Sequence, residues 1–351
     1  MKKTLALCTS IPEKQMEIIK EQCDITICGE LKHGKGNVTE DMTKEECMGH
    51  EIVVLGDEYA GADTIKAWAE SGMKFMGVAK GTPATVDHAA IKAAGLELSY
   101  TPGRNRVAVA EFNMGLMIAV ARNLTLSCTG LSKGEHTGPA KDNIYDVPDV
   151  KNVTFGPLDE KHPFTDYGIG FELYGKTLGI AGYGAIGREV AVRAKAFGME
   201  ILAYDPYMPA EKIEADNCRA VDLDTMLAES DMVSIHLPVL PSTKAIVNKD
   251  WFSKMKPTAY LINTARAAVI HQQDLVEALQ NKEIGGAAID VYWEEPVPAN
   301  HPLLSMRNVV CTPHMAGLTT DVDSWSGTMM GDEVIAYLKE EPRKYIWKVR
   351  E

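Results

Sequence analysis

Gly175-Lys176-Thr177-Leu178-Gly179-Ile180-Ala181-Gly182-Tyr183-Gly184-Ala185-Ile186-Gly187 reads as an apolar strand, a glycine turn and the first turn of a helix. The glycines fall at GxGxxG spacing. Gly182 would allow the tight turn, Gly184 would let the backbone approach a pyrophosphate, and Gly187 would let the helix pack on the strand. Ala185 and Ile186 open the helix, whose first N–H groups lack intrahelical partners and are offered to phosphate oxygens. The spacing alone is weak evidence and gains from its surroundings. An apolar strand, Thr177–Gly182, precedes it, an amphipathic helix, Ala185–Phe197, follows, and Asp205 closes the next strand, Glu200–Tyr204. A carboxylate there would accept hydrogen bonds from the ribose hydroxyls of NAD and repel the extra phosphate of NADP.

Outward from this unit, short apolar runs alternate with helical stretches, the pattern of parallel α/β sheets. On the N-terminal side the expected strands are Thr4–Cys8, Asp24–Cys28, Ile52–Leu55, Lys74–Val78 and Glu97–Tyr100. Helices are expected at Asp63–Ser71, Asp87–Ala94 and, longer, Val107–Arg122. On the C-terminal side strands are expected at Met232–His236, Tyr260–Asn263, Gly286–Asp290 and Val309–Thr312. The helix Gln272–Gln280 lies among them and a closing helix falls near Asp332–Leu338. Gly130 to Phe171, rich in Gly, Pro and Asp with little periodicity, reads as a long surface loop or linker.

The chain has 351 residues, enough for two domains, and 45% hydrophobic with 24% charged residues is globular composition. A formal charge of -13 argues against nucleic acid and anionic membrane as partners. Seven scattered cysteines without CxxC spacing read as reduced, mostly buried thiols, and no metal-ligand pattern appears. No apolar run reaches the ~18 residues of a membrane span, and the first apolar run is too short for a signal peptide. A cytoplasmic location is expected.

Three polar groups follow the glycine motif at strand ends or in loops: Arg266 in LINTAR, Glu295 in DVYWEEP and His314 in CTPHMAG. Alone, each reads more simply as a surface ion pair, a loop residue or a structural turn. Together they lie in long ordered motifs: Thr101–Glu111 (TPGRNRVAVAE), Gly175–Gly187, Ser234–Pro238 (SIHLP), Met255–Arg266 (MKPTAYLINTAR), Ala287–Pro298 (AAIDVYWEEPVP) and Thr312–Gly317 (TPHMAG). Through these, across almost its whole length, the chain resembles the D-isomer-specific 2-hydroxyacid dehydrogenases. That family includes phosphoglycerate dehydrogenases, glyoxylate and hydroxypyruvate reductases, formate dehydrogenases and the C-terminal-binding-protein corepressors.

The resemblance implies an α/β protein of two doubly wound parallel-sheet domains. A Rossmann cofactor domain (103–317) would be inserted in a discontinuous, flavodoxin-like substrate domain (1–102 plus 318–351). It implies an NAD-dependent oxidoreductase moving a hydride between nicotinamide and C2 of a small D-2-hydroxy acid or 2-keto acid. Arg266 would hold the substrate carboxylate and polarise the keto oxygen. His314 would be the general acid in reduction and the base in oxidation. Glu295 would fix the His314 tautomer and stabilise its imidazolium. His236, Pro238, Thr264, Asp290 and Val109 match cofactor-lining positions, with Asp290 expected on the nicotinamide amide. The loop Val78-Ala79-Lys80-Gly81 matches a substrate-carboxylate loop. Lys80 and Arg104 are candidate cations for a second anionic group of the substrate, as in phosphoglycerate or hydroxypyruvate chemistry, and read equally well as solvated surface charges.

A homodimer is expected, with the Val107–Arg122 helix as a contact element. Ala267 stands where the family usually has Gly, so an altered backbone near the site is expected. With no segment beyond the closing helix, control by an appended domain is not expected. A non-enzymatic NAD(H)-sensing protein of the corepressor type is the alternative. The formate dehydrogenase branch is disfavoured because it carries Gln where this chain has Glu295.

Overall fold

The computed structural model describes residues 2–137, 140, 142–143 and 162–348. They divide into two compact units, Met1–Ala108 with Gly317–Glu351, and Val109–Ala316.

In the first unit the strands are β1 Lys3–Leu7, β2 Cys23–Ile27, β3 Ile52–Leu55, β4 Phe75–Val78 and β5 Leu98–Tyr100. All pair in parallel, in the order β2-β1-β3-β4-β5. A parallel sheet covered on both faces needs apolar residues at every position. Ile52-Val53-Val54-Leu55 meets that need and is buried throughout. Its odd and even positions feed two different cores: Val53 and Leu55 pack with Trp68 and Met76, whereas Ile52 and Val54 pack with Phe75, Met330 and Val334.

Met330 and Val334 belong to the closing helix, which runs Thr320–Leu338, well beyond the expected Asp332–Leu338. Its first half hides from a periodicity reading because Ser326, Gly327 and Gly331 occupy buried positions. A Cβ on Gly327 would lie 2.3 Å from the carbonyl oxygen of Ser10, so this helix approaches the loop after β1 too closely for a side chain. Thr319 caps the helix, accepting a hydrogen bond from the Val322 N–H at 3.3 Å.

The second unit holds β6 Thr177–Ala181, β7 Glu200–Tyr204, β8 Arg219–Ala220, β9 Met232–Ile235, β10 Tyr260–Asn263, β11 Gly286–Ile289 and β12 Val309–Cys311. The order is β12-β11-β10-β9-β6-β7-β8, parallel throughout. From β6 the chain runs outward through β7 and β8, then crosses to the other side of β6 to lay down β9. The sheet therefore switches direction between β6 and β9, where ligands bind in open α/β sheets, beyond the C-terminal strand ends. Both sheets bear out the expected fold class. The two-residue β8 is too short for a sequence signal.

The segment expected as a loop from Gly130 to Phe171 is corrected where it is described. Its start belongs to the helix Leu124–Ser132, and a short helix, Pro163–Tyr167, begins with proline after His162. Residues 144–161, the middle of that expectation, lie outside the described residues. Cys8, Cys23, Cys28, Cys47 and Cys218 are buried free thiols, as expected, while Cys128 is exposed. Among the described residues no single helix is long and apolar enough to cross a membrane.

Candidate active site

The glycine turn takes the form its spacing requires. Gly182 has φ +95°, and a Cβ there would sit 2.7 Å from the carbonyl oxygen of His236, at the end of the adjacent β9. A Cβ on Gly187 would meet the carbonyl oxygen of Gly182 at 2.3 Å, whereas nothing lies within 4 Å of the Cβ position of Gly184. Two glycines thus pull strand, turn and helix together, and the third leaves open space at the N-terminus of the helix Ala185–Ala196. Asp205 stands at the end of β7. Its Oδ2 accepts from the Tyr183 N–H and its Oδ1 from the Tyr207 N–H, both at 2.9 Å. The carboxylate is anchored beside the glycine turn yet half-exposed. Open space over the turn, free helix N–H groups and a held carboxylate fit a dinucleotide.

Arg266, Glu295 and His314 come together in the second unit. His314 Nδ1 lies 2.8 Å from Glu295 Oε2, and Glu295 Oε1 accepts from the Tyr292 N–H at 3.0 Å. Burial pushes the Glu295 carboxyl upward. The hydrogen bonds from His314 and Tyr292, with the charges of His314 and Arg266, outweigh it and hold the group below its ordinary value. The carboxylate is then the ionised acceptor, the ring proton sits on Nδ1, and Nε2 has no partner among the described residues.

His314 itself takes a left-handed backbone conformation, φ 58°, strain that surrounding contacts must impose. The imposing group is Asp290. Its carbonyl oxygen accepts from the His314 N–H at 2.8 Å. Its Oδ1 accepts from Thr312 Oγ1 at 2.6 Å and the Met315 N–H at 2.8 Å, and its Oδ2 from the Ala316 N–H at 2.9 Å. The resemblance implies Asp290 at a nicotinamide amide; in the structure it is fully buried and also clamps the His314 turn.

Asn263, which sequence reading passed over, does the same for Arg266. Its Oδ1 accepts from the Ala265 N–H at 3.0 Å and its Nδ2 donates to the Arg266 carbonyl at 3.1 Å. The exposed guanidinium donates to the Ala265 carbonyl at 2.7 Å. Ala267 opens a 3-10 turn, Ala267–Val269, and is not among the residues with positive φ. The backbone there is one alanine adopts without left-handed strain.

A second missed residue is Asn113, fully buried on the helix Arg106–Ala121, one turn beyond the buried Val109. Its Nδ2 donates to Ser234 Oγ at 2.9 Å and to Thr264 Oγ1 at 3.2 Å, and its Oδ1 has no partner among the described residues. Ser234 Oγ lies 2.9 Å from His236 Nε2. The hydroxyl has one proton to give and two lone pairs to accept with, so it serves Asn113 together with either tautomer of His236. Burial pushes the His236 pKa down to about 4, so the ring is neutral near neutral pH. An asparagine in a helical apolar run carries no sequence signal for this role. Pro238 lies exposed after β9, and its carbonyl accepts from Thr243 Oγ1 at 2.5 Å. Lys80, Gly81 and Arg104 belong to the first unit.

Residues 159–316 match the family model described as "D-isomer specific 2-hydroxyacid dehydrogenase, NAD binding domain". The chain is 34% identical to the glyoxylate reductase of Thermofilum pendens, over 94% of this chain and 90% of that protein. It is 33% identical to the D-3-phosphoglycerate dehydrogenase of Methanocaldococcus jannaschii over 88% of this chain, but spans only 54% of that protein's length. Among solved structures, D-lactate dehydrogenase with NAD+ from Lactobacillus jensenii aligns with a TM-score of 0.74 and 25% identity, over 99% of this chain and 100% of that one. With near-complete coverage of a relative of such identity, and the glycine turn and the Arg266, Glu295 and His314 constellation formed in the structure, the chain belongs to the D-isomer specific 2-hydroxyacid dehydrogenase family.

Proposed function

We propose that the protein is an NAD-dependent dehydrogenase interconverting a small D-2-hydroxy acid and its 2-keto acid. The observation that carries this reading is the His314 Nδ1 to Glu295 Oε2 hydrogen bond of 2.8 Å, within the electrostatic reach of Arg266. When bound, NAD(H) supplies the hydride exchanged with C2 of the substrate. Gly182, Gly184, Ala185, Ile186 and Gly187 would hold its pyrophosphate, Asp205 its ribose hydroxyls, and Val109, His236, Pro238, Thr264 and Asp290 would line the rest of its site. Arg266 binds the carboxylate and polarises the keto oxygen. His314 Nε2 donates the proton that oxygen acquires in reduction and takes it back in oxidation. Glu295 keeps Nδ1 as the other end of that ring, so the catalytic proton is always handled at Nε2.

A cytoplasmic homodimer completes the reading. Exposed Leu124, Leu131, Phe164 and Ile169 of the second unit support self-association.

The test is NADH consumption, followed by absorbance, with a panel of 2-keto acids, phosphorylated ones included, and NADPH as control. Selective turnover of one acid with NADH is expected; NADH binding without turnover of any would overturn the reading. Asp205→Ala is expected to raise the KM for NADH about tenfold to a hundredfold, the worth of charge-assisted hydrogen bonds, and to change the NADPH value far less. Equal effects on both cofactors would mean that Asp205 does not read the ribose.

A further inference from the structure

Three neighbouring strands of the second sheet, β9, β10 and β11, send their following loops over one carboxyl edge. Among those loops, wholly within the second unit, lies a cavity of about 540 Å³, a size that suits a small molecule. Lys244 and Ala245 reach it from the loop after β9, Ala268, Ile270 and His271 from the segment after β10, and Trp293 from the loop after β11. The walls are tied to one another. The Ala245 N–H donates to the Ala268 carbonyl at 2.9 Å, the His271 N–H to the Val247 carbonyl at 2.8 Å, and Trp293 Nε1 to the Ile270 carbonyl at 3.0 Å.

The lining divides by chemistry. Ile270, Val276 and Trp293 supply apolar wall. Trp293 has spent its one polar group on Ile270, so its ring offers the cavity only π surface. The ring of the buried His301 runs parallel to it, at 4° with centroids 6.2 Å apart, and helps fix its plane. The charged side chains of the lining are basic. The Lys244 ammonium has no hydrogen bond or ion pair among the described residues. His271 Nδ1 lies 2.9 Å from Asp274 Oδ1, which leaves Nε2 available, and Asp274 Oδ2 accepts from the Lys249 N–H at 2.8 Å. Asp274 is thus engaged twice and is not part of the lining; among the described residues no carboxylate lines the cavity, in a chain of net charge -13. Apolar walls, an indole face and an unpaired ammonium complement a planar ring that carries an anion.

We propose that this cavity is an effector site for a small aromatic carboxylate, stacked on Trp293 and paired with Lys244, whose occupant bears on the loops that carry Arg266 and Glu295. Arg266 lies two residues before Ala268, and Glu295 two residues after Trp293, so each catalytic loop contributes a wall. The binding stands apart from the activity proposed above; the effect on turnover rests on that reading.

Titration calorimetry on the full chain tests it, with indole-3-acetate as the probe. Indole-3-acetamide, which lacks the charge, should bind about fivefold more weakly, the upper worth of an exposed ion pair, and Lys244→Gln should cost the acid the same factor. Trp293→Leu should cost about tenfold, the upper worth of an aromatic pair. Trp293→Phe keeps a ring, covers the case in which Trp293→Leu fails to fold, and should retain most of the affinity. Arg266→Gln should bind the probe as the native chain does, which separates this cavity from the proposed active site. Binding to the native chain weaker than about 1 mM, equal binding of acid and amide, or binding indifferent to Lys244 and Trp293 overturns the site. In turnover of the 2-keto acid, saturating indole-3-acetate should change kcat in a way that excess keto acid does not reverse. An unchanged kcat overturns the coupling to the catalytic loops. If no keto acid turns over, the calorimetry still decides the site, so its failure and that of the proposed activity are told apart.

Discussion

His314→Ala is expected to lower turnover of the 2-keto acid by about 10²–10⁴-fold, the usual worth of a positioned general acid, with the KM for NADH nearly unchanged. The ring offers one free nitrogen. Nδ1 is committed to Glu295 at 2.8 Å, which leaves Nε2 to face substrate. Glu295 is held ionised below the ordinary carboxylate range, so the pair survives as pH falls toward that range, and Nδ1 remains the donor there. Alanine deletes the acid and also occupies a position with φ 58°, where any residue with a Cβ is strained. His314→Asn separates the two effects. Asparagine tolerates left-handed backbone better than most residues and cannot supply the proton. Equal loss of turnover in both variants, with a thermal midpoint close to native for His314→Asn, would place the effect in chemistry rather than in the turn. Turnover within about threefold of native in either variant would reject the role.

The turn that carries His314 also shows where sequence reading stopped. The fold was legible because its signals are local. Ile52–Leu55 and Thr177–Ala181 are apolar runs that suit buried parallel strands, and the glycine spacing names a turn that only one arrangement of strand and helix can make. The three polar residues were legible because each sits in a long motif. Their supports were not. Asp290 reads through the resemblance as a ligand group; that its carboxylate also accepts from Thr312, Met315 and Ala316, after β12, shows only in the structure. Asn113 meets Ser234 and Thr264 across more than a hundred residues of sequence, a contact no periodicity encodes. The first half of the closing helix was missed for a related reason. A helix packed through Ser326, Gly327 and Gly331 has a buried face without the apolar stripe by which amphipathic helices are recognised.

Arg266→Gln is expected to lower kcat/KM for the 2-keto acid by about 10³-fold, at the upper end of what one lost oxyanion donor costs, with the loss shared between kcat and KM. Two functions disappear together. The carboxylate loses a charge-assisted, forked pair of donors, which appears in KM, and the keto oxygen loses the charge that stabilises it as the hydride arrives, which appears in kcat. The fold should not notice. The side chain is exposed, and its hydrogen bond within the chain goes to the carbonyl of Ala265, next to it in sequence. The loop's shape is set by Asn263, whose side chain grips Ala265 and Arg266 through the backbone, so thermal stability should shift by no more than about 0.5 kcal/mol. Arg266→Lys tests the geometry apart from the charge. An ammonium on a flexible stem restores attraction to the carboxylate but not the fixed fork, so it should recover affinity more than turnover. Full recovery by lysine would mean that Arg266 acts as a point charge. Unchanged kinetics in Arg266→Gln would remove it from the site and leave the exposed guanidinium as the surface charge that a lone arginine after a strand most simply is.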